Sequence, residues 1–158
     1  SMSYSKIAVV SIGLLSLFNS TSLVASEFLQ AQAESIPSNC QFLQEVTTGE
    51  IEITKQIQAL GITNNFNTDF AIPAGINFTS YEAMMRVENN GNYNVTINLK
   101  YPNNAASTAL EKKDVPMVIG ENYSLPFQAP IDQQPYQVNF NIAGNNNNTY
   151  TISVMACQ

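Results

Sequence analysis

The sequence has no histidine and no tryptophan among its 158 residues. Histidine is the side chain most often used for proton transfer near neutral pH and is a frequent zinc ligand. Its absence therefore excludes Ser-His-Asp and Cys-His catalysis and histidine-ligated zinc. The lack of tryptophan removes the largest aromatic surface on which a sugar ring could stack. No glycine-rich phosphate loop follows a predicted strand, so we predict a protein that is not an enzyme and has no cofactor.

Basic residues are also few, since six Lys and Arg stand against twelve Asp and Glu and the formal net charge is −6. Arg86 is the only arginine, and the sequence has no basic cluster. Nucleic acids and anionic lipids are bound mainly through clustered Lys and Arg, so neither is an expected partner. The charge leaves a protein, or alternatively a glycan, as the predicted partner.

An uncharged apolar run from Ile7 to Phe18, preceded by Lys6, is typical of a secretory signal. As a helix this run would extend about 18 Å, which is shorter than the roughly 30 Å of hydrocarbon in a bilayer. The run is therefore interpreted as part of an export signal, and Ser1 is interpreted as a cloning remnant.

Small side chains at Ala31 and Ala33 match the −3 and −1 positions that signal peptidase requires. We therefore predict that residues 1–33 are a signal peptide and that residues 34–158 form a single secreted or periplasmic domain. Cleavage after Ala25 is one alternative. Another is an uncleaved N-terminal segment that anchors the protein in the membrane.

The two cysteines of the sequence, Cys40 and Cys157, lie near the two ends of the predicted mature chain. In an exported protein an even number of cysteines indicates disulfide bonding, and two cysteines allow only one pairing. Closing so long a loop stabilises a fold by about 4–5 kcal/mol in the chain-entropy model. We therefore predict a Cys40–Cys157 disulfide.

Apolar side chains recur at every second position along most of the mature chain, which is typical of half-buried β-strands. Strands are predicted around residues 51–59, 70–78, 81–87, 93–101, 115–119, 123–127, 136–142 and 150–156. The only predicted helix is a short one within Ser107–Lys113. Seven or eight strands with so little helix predict an all-β fold, an antiparallel β-sandwich of immunoglobulin-like general architecture. A closed antiparallel β-barrel is the alternative.

Two pairs of these strands are predicted to form hairpins. A three-residue turn at Asn89–Gly91 would place Val87 opposite Tyr93 and keep the apolar residues of both strands on one face. A longer loop, Gly144–Asn148, would join the last two strands in the same way.

The other side of these predicted hairpins carries neutral side chains that form hydrogen bonds. Amides offer both donors and acceptors, so such a face could bind a glycan, and an edge strand beside it could pair with a partner strand. An ordinary solvent-exposed face is the alternative. The predicted binding residues are Asn92, Asn94, Thr96, Asn98, Gln137, Asn139, Asn141, Thr151 and Ser153.

Two weaker patterns involve acidic residues. Asn65, Asn67 and Asp69 have the spacing of the first three ligands of a calcium-binding loop, but Phe70 stands where that loop needs glycine, so a plain polar turn is preferred. Glu50 and Glu52 would project from one face of a strand, which is the basis for a hydrolase hypothesis.

These patterns together predict a non-catalytic exported binding or interaction module, either a bacterial envelope protein or a secreted factor. It would act through the polar sheet face or an edge strand, and its sheet edges could also mediate self-association. The first alternative is a carrier of a small apolar ligand inside a β-barrel. The second is a hydrolase that uses carboxylates.

Overall fold

The computed structural model of this protein describes residues 36–58 and 67–158. The predicted signal peptide, residues 1–33, and both predicted cleavage sites lie outside these ranges, as does Ala59 at the end of the first predicted strand. The described residues from Ser38 onwards form two antiparallel sheets that pack as a β-sandwich, which confirms the predicted fold class, and these residues form no closed barrel. Among the described residues, no helix is long and apolar enough to cross a membrane.

The described residues form ten strands. Sheet A contains, in spatial order, β1 (Cys40–Phe42), β10 (Thr149–Cys157), β5 (Ser80–Val87) and β8 (Tyr123–Phe127), while β3 (Ile53–Gln56) also pairs with β10. Sheet B contains, in spatial order, β2 (Gln44–Glu45), β4 (Asn67–Ala71), β9 (Gln137–Ala143), β6 (Gly91–Lys100) and β7 (Ala106–Met117). A single 3-10 turn, Pro102–Asn104, lies between β6 and β7.

The core lies between the two sheets, as the alternating pattern requires. Successive side chains of a strand point to opposite faces, so every second residue of β6 enters the interior. Tyr93, Val95 and Ile97 are each 0% exposed, and Met85 and Ile152 of sheet A are buried as well. An apolar-ligand carrier would need an open barrel interior, whereas the described sheets fill the space between them with packed side chains.

Both predicted hairpins are wrong. β5 pairs with β10 and β8 in sheet A, whereas β6 pairs with β7 and β9 in sheet B. The chain therefore crosses from one sheet to the other between Val87 and Gly91, and it crosses back through Gly144–Asn148. The alternating pattern shows which side chains of a strand are buried. The same side chains are buried whether two successive strands pair as a hairpin or lie in facing sheets. The core residues could therefore be predicted although the pairing could not.

The two crossing loops pack against each other at one end of the sandwich. The backbone N–H of Thr149 donates to Asn89 Oδ1 at 2.8 Å, and the Tyr93 hydroxyl donates to the Asn89 carbonyl at 2.7 Å. Gly91 fits closely here, since a Cβ atom at this position would lie 2.9 Å from Asn148 Nδ2. The asparagines of these loops therefore hold the two crossings together.

The helix predicted within Ser107–Lys113 is also wrong, because this segment belongs to β7. Its Ala, Leu, Glu and Lys residues favour helix in isolation, but intrinsic propensity is a weak preference that tertiary contacts override. As a strand the segment pairs along β6, where Leu110 lies opposite Ile97 and is half-buried. Pairing of this kind satisfies the backbone groups of β6, a strand whose own alternate side chains are fully buried.

The Cys40–Cys157 disulfide is confirmed. The two cysteines are direct partners in the pairing of β1 with β10, so the bond fastens the first strand of the domain to the last. Two backbone groups add to this attachment: Leu43 N–H donates to the Val154 carbonyl at 2.9 Å, and Gln158 N–H donates to the Asn39 carbonyl at 2.8 Å.

Candidate functional site

Sheet B presents a polar surface on the side that faces away from sheet A. The exposed or half-exposed positions of β6 alternate with fully buried apolar positions, and β4 shows a similar alternation, whereas β9 departs from it at Asn139, which is buried. The pairing of these strands with β7 brings their outward side chains together. This surface, called the polar face below, consists of Asn67, Asp69, Asn92, Asn94, Thr96, Asn98, Lys100, Thr108, Glu111, Gln137, Asn139 and Asn141.

The structure brings together seven of the nine predicted binding residues, all of them on β6 and β9. Thr151 and Ser153 lie elsewhere, because β10 belongs to sheet A. They are also only 5% and 7% exposed. The incorrect hairpin between β9 and β10 placed these two residues on the same predicted surface as the others.

Five members of the polar face were not predicted as part of this surface. Lys100 follows the polar alternation of β6, so the sequence did contain a signal for it. Thr108 and Glu111 were assigned to a helix, and Asn67 and Asp69 were considered only as calcium ligands. A register shift between Ile97 and Asn98 in the pairing of β6 with β7 brings both Thr108 and Glu111 opposite outward residues of β6, and sequence alternation could not have shown this.

Antiparallel pairing aligns the polar side chains in rows that run across the strands. The central row consists of Asp69, Asn139, Asn98 and Thr108, each directly opposite the next. A neighbouring row consists of Asn67, Asn141, Thr96 and Glu111. Adjacent strands are about 4.8 Å apart, so each row repeats a polar group at that interval.

Hydrogen bonds within the central row fix the orientation of its two amides. Asn139 Nδ2 donates to Asp69 Oδ1 at 2.8 Å, and the Thr108 hydroxyl donates to Asn98 Oδ1 at 2.8 Å. The NH₂ group of Asn139 is therefore used within the row, and its carbonyl oxygen is left to accept from a ligand. In Asn98 the oxygen is used within the row, and the NH₂ group is left to donate to a ligand. The row therefore presents an acceptor and a donor on two adjacent strands.

The charges on and beside the polar face partly compensate one another. Lys100 Nζ lies 3.5 Å from Asp69 Oδ1 in a half-exposed ion pair. From β3, Lys55 Nζ donates to the Asn67 carbonyl at 2.8 Å. Partial burial lowers the pKa of Lys55, although the negative charges of Glu45 and Asp69 oppose this effect. A ligand at the central row would therefore meet mainly neutral hydrogen-bonding groups.

The calcium pattern stays a prediction. Asn65 lies outside the described residues, and Asn67 and Asp69 lie on β4 rather than in a turn. Asp69 Oδ1 already accepts a hydrogen bond from Asn139 and contacts Lys100. Within residues 36–58 and 67–158, no group of three or more His, Cys, Asp or Glu side chains could hold a metal ion.

The two glutamates of the hydrolase hypothesis are both exposed to solvent. Glu52 forms a salt bridge with Arg86 of β5, with 2.5 Å between Glu52 Oε1 and Arg86 Nη1. A glycosidase requires a carboxyl group whose pKa is raised so that it can act as the acid, and apolar surroundings are the usual cause. The setting of Glu50 and Glu52 does not provide such surroundings.

The sheet edges have features that oppose pairing with a further strand. β7 is the long edge strand of sheet B, yet its pairing with β6 contains two irregularities, and Asp114 has a left-handed backbone with φ 53°. Charged residues and Pro116 follow each other along its second half. β8, at the edge of sheet A, contains Pro126, which lacks an N–H. Charges, prolines and bulges are the means by which natural sheets prevent edge-to-edge association.

The fold and the polar face define an all-β sandwich module with one amide-rich sheet surface. No protein-family model matches the chain, and no curated protein matches it. Solved structures of family 29 carbohydrate-binding modules are similar in fold. One, a variant in complex with mannohexaose, is 11% identical over 77% of this chain and 82% of that chain, with a TM-score of 0.45.

Two further structures of family 29 modules show a similar degree of likeness. A variant in complex with cellulohexaose is 10% identical over 77% of this chain and 82% of that chain, with a TM-score of 0.43. Another variant is 12% identical over 78% of this chain and 84% of that chain, with a TM-score of 0.44. Likeness at this level concerns the general fold and does not establish a shared ligand.

Proposed function

We propose that this protein is a non-catalytic exported binding module that binds an uncharged glycan on the polar face of sheet B. The observation that carries the proposal is the set of rows of amide and hydroxyl groups across β4, β9, β6 and β7. Sugar hydroxyls both donate and accept hydrogen bonds, as amides do, so the two surfaces are chemically complementary.

The charge of the protein favours a neutral ligand. A net charge of −6 repels anionic polymers, and the cation Lys100 is already paired with Asp69. The members of the polar face include no aromatic residue, so affinity must come from several hydrogen bonds rather than from stacking. A polymer that contacts several polar groups at once is therefore a better ligand than a monosaccharide.

Export is part of the proposal, and the disulfide supports it, because structural disulfides persist mainly in oxidising compartments. We propose a secreted or periplasmic location, reached through the apolar leader. Mass spectrometry of protein recovered from the medium or periplasm tests this point. A mature chain that begins at residue 34 or 26 is expected, whereas full-length protein confined to the cytoplasm would contradict export.

Calorimetric titration of the full-length protein tests the binding function. The ligands are neutral hexasaccharides of gluco, manno and galacto configuration and, for comparison, a hexasaccharide of uronic acids. We expect binding to at least one neutral hexasaccharide and none to the charged one. If none of the neutral ligands binds, the proposed function is wrong.

A pair of variants places the binding on the polar face. The double variant Asn98→Ala/Asn141→Ala removes one amide from each of the two rows and should weaken binding at least tenfold. The matched control, Ser153→Ala, changes a predicted binding residue that lies on sheet A and should leave the affinity unchanged. Equal losses in both variants would place the binding site elsewhere.

A further inference from the structure

We infer that Asn98 and Asn139 form the ligand-reading centre of the polar face, and that together they bind two adjacent hydroxyl groups of one sugar ring. This inference rests on the proposed function and names the chemistry that the face selects. It also assigns different tasks to two residues of the same type, since one supplies a donor and the other an acceptor.

Asn98 and Asn139 lie side by side at the centre of the polar face. Asn98 and Asn139 are direct partners in the pairing of β6 with β9, which are inner strands of sheet B with β4 and β7 on either side. Asn139 is only 6% exposed, so its amide is held in place rather than free to rotate in solvent. Besides its bond to Asp69, its Nδ2 atom lies 3.3 Å from Asn67 Oδ1. The Asn139 amide therefore has a fixed position at the centre of the face.

The orientation of the two amides also supports the inference, because each leaves a different end available to a ligand. Asp69 accepts from the Asn139 NH₂ group and Thr108 donates to the Asn98 oxygen, so both amides are oriented before a ligand arrives. In the part of the chain that the structure describes, Asn139 Oδ1 and Asn98 Nδ2 make no hydrogen bonds. A sugar with two adjacent free hydroxyls can donate from one to Asn139 and accept at the other from Asn98.

The direction of the ligand follows from the spacing of the row. Groups along the central row repeat at about 4.8 Å, whereas outward groups along one strand repeat at about 6.8 Å. A glycan that lies along the row therefore meets a polar group at the shorter of the two intervals. An extended glycan is therefore expected to lie across the strands, from the Asp69–Lys100 pair at one end of the row towards Thr108 at the other.

The variant Asn98→Asp tests the assigned donor. Its carboxylate has nearly the same shape and still accepts from Thr108, but it has no NH₂ group for the ligand. With the neutral hexasaccharide that the unmodified protein binds best, we expect about tenfold weaker affinity. The control Asn122→Asp adds the same charge at an exposed position in the loop between β7 and β8, outside the polar face, and its affinity should change less than twofold.

A second pair of variants tests the orientation of Asn98 without altering it. Thr108→Val removes the hydroxyl that holds the Asn98 oxygen and should weaken binding several-fold, whereas Thr108→Ser keeps the hydroxyl and should restore the affinity. On the ligand side, O-methylation of the ring hydroxyls of the same hexasaccharide should abolish binding, because it removes every hydroxyl donor.

The outcomes separate the two claims. If the unmodified protein binds no neutral hexasaccharide, or binds an extended peptide in its place, both the proposed function and this inference are wrong. If it binds a hexasaccharide but Asn98→Asp and Asn122→Asp lose equal affinity, the face binds glycan without a central pair. Equal affinities of Thr108→Val and Thr108→Ser would likewise overturn the assigned orientation of Asn98.

Discussion

Asn139 illustrates how a polar side chain can be nearly buried in this fold. A buried amide without partners costs free energy, but Asn139 donates to Asp69 and lies beneath its neighbours in the centre of sheet B. The sequence did identify Asn139 as part of a polar face. It did not show which of its two amide groups would be engaged, because that depends on Asp69 of a strand 70 residues away in the sequence.

Two buried tyrosines give a matched test of hydrogen bonding in the core. The Tyr81 hydroxyl is buried and has no hydrogen-bond partner among the described residues, whereas the Tyr101 hydroxyl lies 2.9 Å from Ser107 Oγ. Removing an unpartnered buried hydroxyl is expected to leave stability unchanged or raise it by about 1 kcal/mol. Removing a bonded one is expected to cost about 1 kcal/mol.

Urea denaturation of Tyr81→Phe and Tyr101→Phe measures both effects. The ring of Tyr81 also stacks on Phe127, with 5.3 Å between the ring centroids, and phenylalanine preserves this contact. A lower unfolding free energy for Tyr81→Phe than for Tyr101→Phe would show that the hydroxyl of Tyr81 has a partner in solution.

The stability of the fold at high pH depends on buried tyrosines. Burial raises the pKa of both Tyr81 and Tyr150 to about 12, well above the usual value for tyrosine. In the unfolded chain these groups ionise near pH 10, so their contribution to stability is complete below that pH and is lost as the pH rises towards about 12. Thermal melts should therefore show a marked fall in Tm over this interval.

The double variant Tyr81→Phe/Tyr150→Phe has neither of these ionisable groups. Its Tm should decline less between about pH 10 and about pH 12 than that of the unmodified protein. An identical decline in both proteins would mean that other groups determine the alkaline transition.

The strands themselves were largely predictable, because burial of one sheet face imposes alternation along each strand. β5, β6, β8, β9 and β10 all lie where the alternation predicted strands. Their partners could not be deduced in this way. The turn at Asn89–Gly91 has residues that suit a hairpin, but the two strands beside it bury their apolar faces against each other from opposite sheets.

For β7, even the type of element could not be predicted from the sequence. Its sequence favours helix within Ser107–Lys113, and only the neighbouring β6 explains why it is a strand. The candidate site could also be predicted only in part. Its members on β6 and β9 were found from alternation, whereas Thr108 and Glu111 depended on a pairing that the sequence does not specify.

The first strand is the element most dependent on a covalent bond. β1 has three residues and pairs only with β10, next to the disulfide. The double variant Cys40→Ser/Cys157→Ser should lower the unfolding free energy by about 2–5 kcal/mol, because the unfolded chain is no longer constrained by the loop closure. Urea denaturation with and without reductant measures this loss.

The unmodified protein under reducing conditions is the control for this variant, and the two should have the same midpoint. Hydrogen exchange should be accelerated first at Gln41 and Phe42, since these residues lie beside the broken bond. A denaturation midpoint that is the same in oxidised and reduced protein would show that the disulfide does not stabilise the fold.

In the molecule as a whole, the two sheets differ in what they present to solvent. Sheet B carries rows of neutral groups with a compensated ion pair, whereas Thr151 and Ser153 belong to sheet A and lie apart from these rows. The irregular edge strand β7 opposes association through the edge of sheet B. The proposal of a binding module therefore concerns one face of one sheet.

Amide NMR spectra recorded during titration with a neutral hexasaccharide test this claim most directly, because they report the backbone and the asparagine side chains together. The side-chain NH₂ signals of Asn98, Asn139 and Asn141 should shift in a saturable manner, while the backbone signals of Thr151 and Ser153 should stay unchanged. Saturable shifts confined to sheet A or to the edge strand β7, with the polar face unaffected, would contradict the account.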